Sequence, residues 1–237
     1  MIGPGINSAC IVGGALVGIL VGRKLGKDFR AKLMLVFGCI STGMGVYMIG
    51  KAQALPPIVC SLLIGSLCGE LFRLERLVNY LAHKAAALFD RKKNNADPAA
   101  HKALQEQFSV FTVIFCASGL GFFGSMQEGL TGDGSLLFIK AMLDFPTAMF
   151  VAANIGASVI VLAAPQFLIQ MATLLSAGLL VQWATPLMQG DFSSCGGFIM
   201  LATGLRMCGV ANFPILSMLP ALAFVMPVSA GWTLLMG

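Results

Sequence analysis

Apolar stretches recur along the whole chain, at residues 6–22, 33–50, 55–72, 108–124, 145–164, 166–187, 196–213 and 215–235, with short polar breaks between most of them. Each is long enough, or nearly so, to cross a bilayer as a helix, which takes about 20 residues. The pattern predicts an all-α polytopic membrane protein with about eight transmembrane helices, forming a single domain over residues 1–237. One further apolar stretch, 135–143, is short and carries Lys140. It reads either as a half-helix dipping into the membrane or as the start of a long fifth span, and this alternative separates seven spans from eight.

Composition removes the soluble alternatives. Of 237 residues, 57% are hydrophobic and 11% charged, where a soluble domain carries roughly a quarter charged; mean hydropathy is +0.87. No room is left for a second, water-soluble domain. The net charge of +5 would suggest nucleic acid in a soluble protein, but here it marks topology, and no nucleic-acid partner is expected. Segments 23–32 and 73–102 hold 12 of the 15 basic residues, and loops rich in Lys and Arg stay cytoplasmic. Both follow odd-numbered spans, so the N-terminus falls outside. An eight-span count also places the loop carrying Asp191, which has no basic residue, outside; a seven-span count would not. The first apolar stretch lacks a preceding positive residue and is followed at once by Arg23, Lys24 and Lys27, the reverse of a cleavable signal, so it is expected to be retained.

Between spans 3 and 4, Leu71, Leu74, Leu77, Val78, Leu81, Ala85 and Leu88 recur at helical spacing opposite Arg73, Arg76 and Lys84, which predicts a cytoplasmic amphipathic segment over 73–107. Such a helix rests on headgroups or docks a partner. Pro98 suits the first position of a second short helix there.

Glycine patterning supplies a hint of internal organisation. Gly38-Cys-Ile-Ser-Thr-x-x-Gly45 resembles Gly197-Phe-Ile-Met-Leu-x-x-Gly204, and Pro57-Ile-Val-Cys-Ser-Leu loosely matches Pro214-Ile-Leu-Ser-Met-Leu. Spans 2 and 3 would thereby match spans 7 and 8, an inverted repeat relating spans 1–3 to spans 6–8, as secondary transporters often have. Gly14-x-x-x-Gly18-x-x-x-Gly22 and Gly65-x-x-x-Gly69 allow close helix approach in lipid, either within one chain or between copies in a homo-oligomer.

Ionisable groups at membrane depth are functional candidates. Lys140 and Asp144, four residues apart, share a helix face, and Pro146 follows, which would break or kink a helix there. Residues 135–146 are therefore the best candidate for a discontinuous helix at a site. Arg206 lies some ten residues into span 7 and calls for a partner: Asp144, Glu70 or an anionic substrate. Glu70 closes span 3 at the cytoplasmic edge. Asn7, Asn154, Gln170, Gln182 and Asn212 are polar groups suited to lining a cavity or bridging helices. Seven cysteines scattered singly and only two histidines leave no pattern for a metal, and no cofactor is expected. The motifs of metalloproteases, serine hydrolases and P-loop enzymes are absent, so an enzyme is not expected.

Asn7, Gly13-Gly14-Ala-Leu-x-Gly18, Cys116-Ala-Ser-Gly119, Met126-x-Glu128-Gly-x-Thr-Gly-Asp133, Lys140-x-x-Leu-Asp144-x-x-Thr147-Ala-Met, Leu201-Ala-Thr-Gly-Leu-Arg206 and Met218-Leu-Pro-Ala-Leu together resemble the YqgA/YdfK family of bacterial inner-membrane proteins. The resemblance runs over essentially the whole chain. It implies a multi-pass inner-membrane protein and brings no activity with it. From the residues, the expected function is a secondary transporter or small-solute channel with a site near the membrane midplane formed from Lys140, Asp144, Arg206, Asn154, Asn7 and Glu70. The alternative is a membrane scaffold or sensor acting through its amphipathic segment.

Overall fold

A computed structural model describes residues 2–21, 27–80, 84, 111–112, 115–116, 118–180 and 184–236. Most of the predicted amphipathic segment 73–107, the turn at Pro98, Gln182 and part of the fourth apolar stretch lie outside these residues. The chain forms α1 (Gly3–Val21), α2 (Lys27–Ile49), α3 (Leu55–Leu71), α4 (Leu74–Tyr80), α5 (Gly119–Thr131), α6 (Ser135–Ile155), a 3₁₀ segment (Gly156–Leu162), α7 (Ala163–Leu180), α8 (Pro186–Met207), the single turn α9 (Ile215–Met218) and α10 (Ala221–Met236). No strand occurs among the described residues.

Local sequence explains the breaks. Pro56 and Pro57 open α3 and Pro186 opens α8, where the Thr185 hydroxyl accepts from the Met188 N–H, positions at which a missing N–H costs nothing. Gly132 closes α5 in the left-handed region, φ 78°, the usual conformation for a helix-ending glycine. Gly156 ends α6 at φ 73°. The chain then runs as seven residues of 3₁₀ helix before α7.

Four helical stretches are long and apolar enough to cross a membrane, Gly3–Leu20, Ser135–Ala153, Gly156–Gly178 and Ile215–Met236, and a fifth is gained if α3 and α4, bent by 49°, are one span. Large apolar side chains lie exposed on the outside of the bundle, among them Leu20, Val46, Leu67, Met142, Leu168 and Leu234. Buried apolar residues instead fill two clusters. One holds Ile11, Phe115, Ala148 and Val151. The other is larger and joins Phe123 of α5 to Phe192 of α8, rings 5.3 Å apart.

Small residues set the helix pairs and their directions. On α1, a Cβ at Gly14 would strike the Phe145 carbonyl, and one at Gly18 the Met149 carbonyl. Four residues on along one helix is four on along the other, so α1 and α6 run parallel in backbone contact. Gly38 faces the Gly204 carbonyl and Gly45 the Gly197 carbonyl, so α2 and α8 are antiparallel. The matching glycine spacing in these two stretches thus has a direct structural meaning, because the four glycines are each other's partners. Gly65 meets Ala221 and Gly69 meets Ser217, so α3 and α10 are antiparallel too. Gly121 lies by Gln170 and Gly129 by Leu174, which makes α5 and α7 parallel.

Three expectations change. The helix beginning at Ser135 is continuous through Pro146 to Ile155, so 135–143 starts a long helix; the break falls at Gly156, not at Pro146. The helix predicted over 196–213 begins at Pro186 and ends at Met207. Its first two turns, polar enough to read as a loop, are helical because their polar side chains are satisfied inside the bundle. The Gly14-x-x-x-Gly18 face is occupied by α6 of the same chain, which removes it as the motive for a homo-oligomer.

Candidate functional site

The hairpin of α5 and α6 turns through 132–134, and α7 packs beside it. Antiparallel register brings Lys140 opposite Gly121, where a Cβ would lie 2.9 Å from Lys140 Cε and 3.3 Å from Gln170 Nε2. Lys140 and Gln170 therefore share one level, with glycine clearing the space. One turn further, Lys140 Nζ donates to Asp144 Oδ2 at 2.5 Å, and Gln166 Nε2 donates to the same oxygen at 3.0 Å. The i, i+4 pair on α6 thus meets an i, i+4 pair of carboxamides on α7.

All four side chains are buried: Lys140 is 2% exposed, Asp144 6%, Gln166 0% and Gln170 3%. Asp144 is nine residues past the start of a 21-residue helix, about 14 Å along it at 1.5 Å per residue, near its middle. Cys10 of α1 and Cys116 lie within electrostatic reach of Asp144. Asn7, seven residues before Gly14 and so on the α1 face that meets α6, is 0% exposed.

What distinguishes this place is unspent hydrogen-bonding capacity. Both amide atoms of Asn7, both of Gln170, Gln166 Oε1 and the Ser8 hydroxyl are buried with no hydrogen-bond partner among the described residues. A buried polar group left unmade costs roughly 1–3 kcal/mol. Two carbonyl oxygens and one amide nitrogen, from Gln166 and Gln170, are therefore unspent beside a charge-neutral ion pair, with the Asn7 amide on the α1 face that meets α6. No group of three or more His, Cys, Asp and Glu able to hold a metal occurs among the described residues.

The other sequence candidates do not join this cluster. Arg206 is not deep in a span; it sits in the last turn of α8 with its side chain 42% exposed, 3.2 Å from Glu75 Oε1, and donates to the Phe213 carbonyl. The helix began ten residues earlier than hydropathy indicated, which moves Arg206 from mid-span to the helix end. Glu70 is exposed near the end of α3 and accepts from the Ser217 hydroxyl. Asn212 is exposed beyond α8, and the Asn154 side chain lies outside the described residues.

Two further acids, Glu128 and Asp191, the latter expected in a loop, are buried braces at the opposite end. Glu128 Oε1 accepts from the Ile2 and Gly3 N–H groups at the start of α1, a carboxylate at a helix N-terminus, where the dipole favours it. Asp191, 0% exposed, accepts from the Gln53 and Ala54 N–H groups just before α3 and from the Ser229 hydroxyl of α10. Ser193 donates to Gln127 Oε1 and Ser194 to the Ile49 carbonyl, so α8 also ties α5 and α2 together. Asp133, in the turn before α6, is held below the usual carboxylate range by hydrogen bonds from the Ser135 hydroxyl and N–H, with Lys51 adding attraction.

Apolar helices outside and an ion pair closed inside at mid-helix define an integral membrane protein of the polytopic helical class. The chain belongs to the DUF554 family, described as proteins of unknown function, whose pattern matches residues 2–230. It is 41% identical over 233 residues to the uncharacterized protein YqgA of Escherichia coli (strain K12), covering 98% of each chain. It is 27% identical over 228 residues to the uncharacterized membrane protein YdfK of Bacillus subtilis (strain 168), covering 94% of this chain and 93% of that one. No solved structure matches.

Proposed function

We propose that the protein is a secondary transporter or small-solute channel of the bacterial inner membrane whose site is the Lys140–Asp144 pair with Gln166, Gln170 and Asn7. The observation that carries this reading is the cluster of buried carboxamides without hydrogen-bond partners around an ion pair at mid-helix depth. Ionisable residues inside a bilayer are costly and mark solute or ion pathways. A merely structural pair would be expected to have its surrounding amides satisfied. Asp144 would receive a proton, a coupling cation or a solute's positive group, and Lys140 an anionic group.

The helix directions support eight crossings. Taking α1, α2, α3, α5, α6, α7, α8 and α10 as successive alternating crossings, every observed pair has the required sense: α1 with α6 and α5 with α7 parallel, α2 with α8 and α3 with α10 antiparallel. The N-terminus, Lys51 and Asp133 then share one end. Lys32, Arg73, Arg76 and Arg206 share the other, which would be cytoplasmic by the positive-inside rule. In this arrangement α2, α3, α8 and α10 form an inverted-repeat pairing beside the half that holds the site.

The test is flux in proteoliposomes containing purified protein. Solute movement driven by a proton or sodium gradient should be lost in Asp144→Asn and kept in Arg206→Ala, whose side chain is far from the cluster. Equal flux in the parent and Asp144→Asn would remove the site from the pathway.

A further inference from the structure

The charge balance and donor count of the cluster narrow what it takes. The site holds one cation and one anion, Lys140 and Asp144, 2.5 Å apart, with Gln166 Oε1, Gln170 Oε1 and Gln170 Nε2 buried and without partners among the described residues. A bare metal cation would use only the carbonyl oxygens and leave the amide N–H groups unmet. It would also sit beside the Lys140 ammonium, raising the net charge of a low-dielectric interior, where unit charges interact strongly. A lone anion has the converse difficulty at Asp144. A neutral sugar would use the amides and leave the ion pair unaltered.

We infer that the cluster binds a small zwitterion bearing both a carboxylate and an ammonium group, of the size of the smallest α-amino acids, inserted between Lys140 and Asp144. The carboxylate takes the Lys140 ammonium and the N–H groups of Gln170, which crowds the same point above Gly121 as Lys140. The ammonium takes Asp144 and the Gln166 carbonyl, whose amide already bonds Asp144. Net charge stays zero, each buried charge keeps a partner, and the carboxamides gain the hydrogen bonds they lack. Gly121 leaves room for both groups, because a Cβ there would lie 2.9 Å from Lys140 Cε and 3.3 Å from Gln170 Nε2. The inference rests on the solute-site reading above and adds the ligand class.

The experiment is thermal unfolding of the full chain in detergent with glycine, L-alanine or L-serine, compared with acetate alone, methylammonium alone and sodium chloride. A ligand at a hundredfold excess over its Kd raises the midpoint by roughly 5–11 °C for a chain of this size. The expected result is such a rise with a zwitterion and none with either half alone or with salt. Gln170→Met deletes amide atoms that have no hydrogen-bond partner among the described residues, so it should fold as the parent does and yet weaken the zwitterion response at least tenfold in concentration. A rise with sodium or with acetate alone, or a zwitterion response unchanged in Gln170→Met, overturns the inference, as does a flat response to all three zwitterions. Amino-acid binding without flux would uphold the ligand class and defeat transport. Flux of a sugar or a bare cation through an Asp144-dependent path would do the reverse.

Discussion

Breaking the Lys140–Asp144 pair from one side should cost far more than removing both partners. Lys140→Met leaves Asp144 buried at 6% exposure with only the Gln166 amide on its bonded oxygen; Asp144→Leu leaves an ammonium at 2% exposure with no counter-charge. Removing one member of a buried pair costs about 3–5 kcal/mol. At about 2–4 °C per kcal/mol for a chain of this length, each single variant should unfold roughly 6–20 °C below the parent. The double variant, Lys140→Met with Asp144→Leu, discards both charges and keeps apolar volume, so it should recover to within about 1 kcal/mol of the parent. The assay is a double-mutant cycle by thermal unfolding in a mild detergent, with helicity checked before heating. The expected coupling is several kcal/mol. Single variants that each lose under about 1 kcal/mol, with additive effects in the double, would mean the pair is solvated and would refute its placement.

Three further outcomes follow from the packing. Asp191→Ala removes the acceptor of two backbone N–H groups and the Ser229 hydroxyl; at about 1–3 kcal/mol per buried orphan a loss of several kcal/mol is expected, with faster proteolysis in the 50–54 turn. A parent-like midpoint would show that the brace carries nothing. Gly14→Val and Gly18→Val should abolish folded protein, measured as monodisperse yield, because both meet carbonyls of α6, whereas Gly43→Ala, with open space around it, should be neutral or gain up to about 1 kcal/mol from helix propensity. Asp133 has a depressed folded value, so its contribution is present above the unfolded carboxylate pKa and lost as pH falls through the folded one. Being exposed, it is worth at most a few tenths of a kcal/mol, and Asp133→Asn should flatten only the acid limb of the midpoint-against-pH curve.

Hydropathy found the four helical stretches long and apolar enough to cross a membrane, five with the bent α3–α4 pair, and i, i+4 spacing was enough to pair Lys140 with Asp144. The same rule misplaced α8. Asp191, Ser193 and Ser194 read as a loop because hydropathy averages over a whole turn, whereas these side chains point inward to partners on α2, α5, α10 and the turn before α3 and let the helix start at Pro186. Arg206 then lay at a helix end rather than in mid-span. Pro146 was expected to break or kink α6; the helix runs unbroken through it to Ile155, and the break falls where Gly156 adopts a positive φ. Gln166 was missed, although its spacing from Gln170 mirrors that of Lys140 and Asp144. In an antiparallel pair, matched i, i+4 polar pairs meet, and that symmetry was the available signal. The glycine match between 38–45 and 197–204 was legible as a pattern, but its meaning as a mutual contact required the fold.

The most direct test of the site is counterflow in proteoliposomes loaded with an unlabelled small α-amino acid, with the labelled compound outside. Parent protein should accumulate label transiently above equilibrium, Arg206→Ala should do the same, and Asp144→Asn and Gln170→Met should fall to the level of empty liposomes or at least tenfold below the parent. Absence of counterflow with properly folded parent protein, or accumulation that persists in Asp144→Asn, would contradict the assignment of the Lys140–Asp144 cluster as the solute site.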